Sequence, residues 1–213
     1  DGHPYITKVV LSESSRRGHE VDLPTYVKTN DALLDALFDR TYAALSVAAQ
    51  RVYLTLSSWQ TRIPVLGLAA ALLRGSDERI DVERAIDELD RSSLIQLDIA
   101  EADGSSFVSV PLAAALFGRK KLATSVWKLI VDEDLDVLRK LGTTTAKEMR
   151  KGLAPRVESV ARGAKKRLAA GEGVDTELGV LQFISEEYPA ALLALASIQE
   201  ESGNLSDATL SVN

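Results

Sequence analysis

The sequence contains no cysteine, one methionine and few aromatic residues, which make up 5% of the chain. The lack of cysteine excludes disulfides and thiolate metal sites and favours the reducing cytoplasm as the location. The longest apolar run, IPVLGLAAALL at 63–73, is much shorter than the roughly 20 residues that span a bilayer, so no membrane association is expected. Leucine and alanine supply most of the apolar residues, and they favour helices over strands. We therefore expect a mainly α-helical, cytoplasmic protein.

Motifs for catalysis are absent as well. No G-x-x-x-x-G-K-[ST] segment is present to bind nucleotide phosphates, and no G-x-S-x-G segment supplies a nucleophile. The two histidines, His3 and His19, are not spaced as in a metal site. The segment KLIVDED (128–134) has the form of a Walker B strand, but an amphipathic helix explains its apolar spacing equally well, and we predict the helix. We expect no enzymatic activity, cofactor or metal in this chain alone.

The first residues, DGHPYITKVV, include neither an initiator methionine nor the basic and apolar segments of a signal peptide. After Pro4, apolar spacing predicts a helix that ends near Gly18, and a linker with a short turn follows at 19–29. Such a beginning is typical of the interior of a domain. We expect the chain to be a segment of a longer protein.

Four predicted helices come next. Asn30 and Ser46 are the predicted N-caps of the first two helices. The third helix is predicted at 63–74, with Pro64 near its start, and the fourth at 81–91. The residues spaced for burial on the fourth helix are Val82, Ala85, Ile86 and Leu89.

The hydrophobic period changes after the fourth helix. Short segments at 94–99 and 107–110 are rich in strand-forming residues, and the turn dipeptide Asp103-Gly104 lies between them, which predicts a β-hairpin. Another helix follows the hairpin. Three helices followed by a two-stranded hairpin is the order of a winged helix, so we predict a winged-helix domain over 30–122.

The remaining residues, 123–213, are predicted to be helical. Apolar spacing predicts helices up to Gly142, at 154–169, at 178–183 and from Pro189 onward. The region therefore has the character of a helical linker that leads into further helices.

The last segment has the spacing of a tetratricopeptide repeat, in which small residues allow two helices to cross closely. Gly203 would occupy the tight turn, so a C-terminal tetratricopeptide-like helical hairpin is predicted. Exposed helix faces after about residue 178 would then form a surface for protein partners. The residues singled out for this surface are Leu192, Leu195, Gly203 and Ala208.

Three segments together resemble the STAND signalling NTPases of the NB-ARC kind. They are GHPY (2–5), LLDALFDRTYAALSVAAQRVYLTLSSW (33–59) and VERAIDELDRSSLIQL (82–97), followed by the predicted hairpin. The resemblance covers about 1–122 by motif and the remainder by architecture only.

This resemblance implies an order of domains. Residues 1–29 would be the end of the NTPase helical lid, and 30–122 would be the winged helix. Residues 123–213 would be a helical linker and the start of tetratricopeptide-like repeats. The P-loop domain of the family is absent from the chain.

The resemblance also implies a nucleotide site in the parent protein. Gly2 and Pro4 match the Gly-x-Pro motif, whose proline in the family packs near the adenine. Ser109, Val110 and Pro111 stand at the wing junction, where the family often has Met-His-Asp with its histidine touching a phosphate; no histidine is present here. ATP or ADP with Mg would be bound in the parent protein, with these five residues on the nucleotide side.

The function implied by the resemblance is regulatory. The chain would couple nucleotide state to partner binding and oligomerisation in signal transduction. Its partners would be other proteins and the missing P-loop domain.

A winged helix also raises DNA binding. The recognition helix would be 81–91, which carries five carboxylates and two arginines, and this charge opposes insertion between phosphates. A separate stretch at 147–167 carries eight cationic residues and two glutamates, and it could contact nucleic acid or an acidic partner or form a solvated helix face. The cations singled out in this basic patch are Arg156, Arg162, Lys165, Lys166 and Arg167.

Two alternatives to the regulatory function therefore stay open. One is a winged-helix transcriptional regulator that binds DNA through the basic stretch. The other is a plain helical scaffold. Nucleic acid is not the partner we expect.

Overall fold

The computed structural model describes residues 30–73 and 80–210. This part of the chain is mainly helical, as predicted. The helices are α1 (Asn30–Ala43), α2 (Val47–Ser58), α3 (Val65–Leu72), α4 (Val82–Arg91), α5 (Leu112–Ala123), α6 (Lys128–Leu141), α7 (Ala146–Met149), α8 (Ala154–Ala169), α9 (Asp175–Glu187) and α10 (Ala190–Leu210). The strands are β1 (Ile63–Pro64), β2 (Gln96–Ile99) and β3 (Ser106–Ser109). Within these residues no helix is both long and apolar enough to cross a membrane.

The strands form one small antiparallel sheet in the order β1-β3-β2. Strands β2 and β3 are the predicted hairpin, with Gly104 at φ 73° in its turn. The helix predicted at 63–74 begins only at Val65, so the helical prediction for Ile63 and Pro64 is wrong. A proline ring disfavours helical backbone at the residue before it, and Pro64 is itself extended, with ψ 134°.

Several local predictions are confirmed. The hydroxyl of Ser46 accepts a hydrogen bond from the Ala49 amide at 3.2 Å and so caps α2. KLIVDED (128–134) lies in helix α6, which rules out a Walker B strand there. The prediction of Asn30 as the N-cap of the first helix is wrong, because Asn30 is already a residue of α1. The buried face of α4 consists of Val82, Ala85, Ile86 and Leu89, as predicted.

Contacts divide the chain into two compact units. Within the described residues, the first unit comprises 30–60, 80–97 and 108–132, and the second comprises the remainder. The domain boundaries predicted at 29/30 and 122/123 stay predictions.

The first unit is organised by the packing of α2 against α4 and α5. Tyr53 is fully buried and donates its hydroxyl to the Ala114 carbonyl at 2.5 Å, so its polar group is satisfied in the core. The rings of Phe38 and Phe117 lie 5.4 Å apart, and those of Tyr42 and Tyr53 lie 5.9 Å apart. Four of the few aromatic residues therefore stabilise one core.

Helices α2 and α5 approach closely at Gly118. A Cβ atom at this position would overlap the Ser57 side chain and lie 3.2 Å from the ring of Tyr53. The backbones can come this close because glycine has no side chain.

The second unit contains α3 and the C-terminal helices. Helices α8, α9 and α10 pack on one another, and α9 also packs on α3. Val160, Leu181, Ile184 and Ile198 are fully buried or nearly so. Both predicted bounds of the helix at 154–169 are confirmed.

The predicted C-terminal helical hairpin is wrong for the described residues. Helix α10 continues without a turn from Ala190 to Leu210 and passes through Gly203. Gly142 ends α6 as predicted, with φ 76°, whereas Gly203 is not among the described glycines with positive φ. One glycine costs only about 1 kcal/mol relative to alanine inside a helix, so it does not by itself end one.

We expect Gly118→Ala to lower the free energy of unfolding by about 1–3 kcal/mol, because the new methyl group overpacks the contact with Ser57. Urea denaturation measures this change. Gly163→Ala is the matched control: its Cβ would meet no atom within 4 Å, so the helix should gain up to about 1 kcal/mol. Adding Ser57→Gly to Gly118→Ala should restore part of the loss. Equal effects of the two glycine substitutions would contradict this packing.

Candidate functional sites

The tip of the hairpin is bound to the turn before α8, and both segments belong to the second unit. The Asp103 carboxylate accepts a hydrogen bond from the Leu153 amide at 2.8 Å and another from the Ser105 amide at 3.0 Å. The Ala102 amide donates to the Arg150 carbonyl at 3.2 Å. A carboxylate therefore satisfies an amide at the start of a helix, where negative charge is favourable.

These hydrogen bonds affect the ionisation of Asp103. Partial burial acts to raise the pKa of the carboxyl group, but the hydrogen bonds from Ser105 and from the Leu153 amide outweigh it. The pKa of Asp103 therefore lies below its ordinary value, and the group is ionised at neutral pH.

Gly152 makes the approach of the hairpin tip possible. It has φ 72°, and a Cβ there would overlap the Asp103 carboxylate. Sequence reasoning placed Asp103 in a turn but did not identify this contact. The only local signal is a glycine just before a predicted helix, and such a glycine occurs in many unrelated turns.

The segment that receives the tip is held by its own contacts. Thr145 and Glu148 form a capping box at the start of α7. Arg156 pairs with Glu148 at 3.2 Å and also donates to the Thr143 carbonyl. Hydrogen bonds from Thr145, with the charge of Arg156, place the pKa of Glu148 below its ordinary value.

Arg156 therefore does not belong to an exposed basic patch. Its side chain is only 7% exposed, because it reaches inward to Glu148 and the Thr143 carbonyl. Charge summed along a sequence does not show which way each side chain points. The prediction of Arg156 as a surface cation is wrong.

Other members of the patch are also bonded within the fold. Lys165 donates to the Ser197 hydroxyl at 2.7 Å and pairs with Glu201. Arg167 pairs with glutamates on the neighbouring segment. Arg162 and Lys166 are exposed. The predicted surface therefore keeps less uncompensated positive charge than its sequence carries.

Glu177 is the centre of a charged cluster in the second unit. Its side chain is 2% exposed, and Oε1 accepts from Lys140 at 2.6 Å and from Arg167 at 3.2 Å. Arg167 also pairs with Glu172 at 3.0 Å. Burial by itself would raise the pKa of Glu177, but the bond from Lys140 and the charges of Lys140 and Arg167 outweigh it, so the pKa lies below the ordinary 4.5.

A cavity of about 360 Å³ lies beside this cluster. Three cationic side chains and two glutamates line the cavity, but its lining includes no nucleophile with an adjacent base. Lys140 pairs with Glu177, and Arg167 pairs with both Glu177 and Glu172. The lining residues are Lys140, Val160, Gly163, Lys166, Arg167, Ala170, Glu172 and Glu177. In the described residues no group of three or more histidine, aspartate or glutamate side chains could hold a metal ion.

The predicted wing junction follows β3. Ser109 is the last residue of the strand, and Pro111 precedes α5 with φ −55°. Ser109, Val110 and Pro111 are all half-buried. The two residues assigned to the adenine side, Gly2 and Pro4, lie outside the described residues.

The predicted partner surface lies on one helix. Leu192 is 51% exposed and its neighbour Leu193 is 78% exposed. Leu195 is half-buried, and Gly203 is exposed within the helix. Ala208 belongs to the same helix, and its side chain lies outside the described part.

Compared with protein-family models, with curated proteins and with solved structures, the chain matches none of them.

We expect Glu177→Gln to lower the free energy of unfolding by about 1–3 kcal/mol at pH 7, because Lys140 and Arg167 lose a charged acceptor. The pKa of Glu177 is lowered in the folded state. Its contribution is therefore complete above the ordinary carboxyl pKa and is lost as the pH falls through the folded value. Urea unfolding at a series of pH values should show the difference between wild type and variant shrinking in acid.

Glu172→Gln is the matched control, because Glu172 pairs with the same arginine from a 56% exposed position. Its effect should stay within about 0.5 kcal/mol. A Glu177→Gln variant as stable as the wild type at pH 7, or a difference that persists unchanged in acid, would refute the role assigned to the cluster.

Proposed function

We propose that the chain is the regulatory and interaction region of a STAND-type signal-transduction ATPase, and that it is not catalytic by itself. In this proposal 30–122 is a winged helix that couples nucleotide state to partner binding and oligomerisation. ATP or ADP with Mg belongs to the P-loop domain of the parent protein. Gly2, Pro4 and the wing junction at 109–111 face that nucleotide.

The observation that carries the proposal is the chemistry of α4, the helix in the position of a recognition helix. Its apolar face is buried, while Glu83, Asp87 and Asp90 are exposed. Asp87 lies 4.0 Å from Arg91, which compensates part of this charge. A helix so rich in exposed carboxylates repels the phosphates that a DNA-reading helix must approach.

Glu88 supports the same conclusion, because α4 uses it for internal packing. Its two carboxylate oxygens accept from the amide and the hydroxyl of Ser46, each at 2.7 Å. Ser46 in turn caps α2. Helix α4 therefore positions its neighbour in the first unit, which suits a packing and switch module.

The hairpin supports a protein-packing role as well. Ala102 and Asp103 at its tip bind the turn before α8, so the tip packs against a segment of the chain itself. The exposed Leu192 and Leu193 offer apolar surface to a protein partner.

The STAND assignment is tested by sequencing the parent reading frame before the codon for Asp1. We expect a P-loop Gly-Lys-Ser/Thr within roughly 250 codons, followed by a strand that ends in acidic residues. In that parent protein, ADP should slow hydrogen exchange at 1–6 and 107–112. A stop codon or an unrelated domain would refute the assignment.

The DNA-binding alternative is tested with this chain. Fluorescence anisotropy of a labelled duplex, over a range of salt concentrations, should show no saturable binding at low salt. Binding that weakens steeply with salt would favour the alternative instead. Loss of such binding in the double variant Arg162→Glu, Lys166→Glu, which reverses two of the exposed cations of the basic stretch, would assign it to that stretch.

A further inference from the structure

The hairpin tip meets the turn before α8 through few contacts. The described structure shows two hydrogen bonds between 100–105 and 150–153, one from the Leu153 amide to the Asp103 carboxylate and one from the Ala102 amide to the Arg150 carbonyl. The tip contributes no buried side chain beyond Ala100, since residues 101–104 are exposed. Segments with exposed hydrogen bonds and little buried apolar surface open at low free-energy cost.

The tip keeps its shape through bonds of its own. The Ala100 amide donates to the Ser105 carbonyl at 2.9 Å, and the Gly104 amide donates to the Ala100 carbonyl at 3.1 Å. The Asp103 carboxylate also accepts from the Ser105 amide. All of these bonds lie within 100–105, so separation from the α8 turn breaks none of them.

The receiving turn is likewise independent of the tip. The capping box of Thr145 and Glu148 fixes α7, and Arg156 connects Glu148 to the Thr143 carbonyl. Leu153 is buried at 1% exposure, which anchors the turn to the core. Both partners of the contact are therefore preformed.

We propose that 100–105 and 150–153 form a releasable clasp. The tip separates from the α8 turn as one rigid unit, while the hairpin turn and α8 stay folded. It then rebinds to the same turn at 150–153, which keeps its conformation. Release frees the Leu153 amide and the Asp103 carboxylate together. A partner that binds either group shifts the clasp toward its open state.

Gly152 allows the Asp103 carboxylate to reach the Leu153 amide. Its missing side chain admits the Asp103 carboxylate, and its φ of 72° turns the chain toward it. A methyl group at this position would push the carboxylate away. Gly152→Ala and Asp103→Ala therefore open the same contact from opposite sides.

The test is amide hydrogen exchange of the full chain by NMR. The decisive amide is Ala102, because Asp103→Ala changes neither this amide nor its acceptor, the Arg150 carbonyl, whereas Gly152→Ala also strains the turn at φ 72°. Asp103→Ala and Gly152→Ala should each speed its exchange at least about tenfold, the effect of losing one charge-assisted hydrogen bond. Glu101→Ala, an exposed neighbour on the tip, is the matched control and should leave the rate unchanged.

Two further amides separate release from unfolding. The Gly104 amide, bonded within the tip, and the Val160 amide, inside α8, should keep their wild-type rates in both variants. In the wild type, exchange of Ala102 should depend little on urea. An Ala102 rate unchanged in Asp103→Ala, or one that follows Val160 in rate and in urea dependence, would overturn the clasp.

Discussion

Carboxylate side chains accept hydrogen bonds from the N-cap residues of three helices, and two of them connect these helices to other elements. Glu88 binds the amide and hydroxyl of Ser46 ahead of α2, and Glu148 completes the capping box of α7. Asp103 reaches from the hairpin to the amide of Leu153 before α8. The first amides of a helix have no partner within it, and carboxylates satisfy them while opposing the positive end of the helix dipole.

Acidic groups also bind three cations of the basic stretch at 147–167 within the fold. Arg156 binds Glu148, Lys165 binds Glu201, and Arg167 binds Glu172 and Glu177. The cations thereby connect successive helices of the second unit. These ion pairs serve packing between elements of the second unit.

The sequence allowed accurate prediction of several features whose signal is local. Apolar spacing gave both bounds of α8 and the buried face of α4, and a turn dipeptide gave the hairpin. Prediction failed where distant contacts decide. The strand that includes Ile63 forms by pairing with another strand of the sheet. The Arg156 side chain is buried because it binds Glu148 and the Thr143 carbonyl. Gly203 was misread because one glycine does not end a helix that tertiary packing supports.

The most direct test of this account is a carbon-13 NMR titration of the side-chain carboxyl groups in the wild-type chain. If carboxylates hold the helix starts and the charged cluster, Asp103, Glu148 and Glu177 should all titrate below the ordinary Asp and Glu values. Midpoints at the ordinary values for all three would contradict the account, because carboxylates that accept these hydrogen bonds resist protonation.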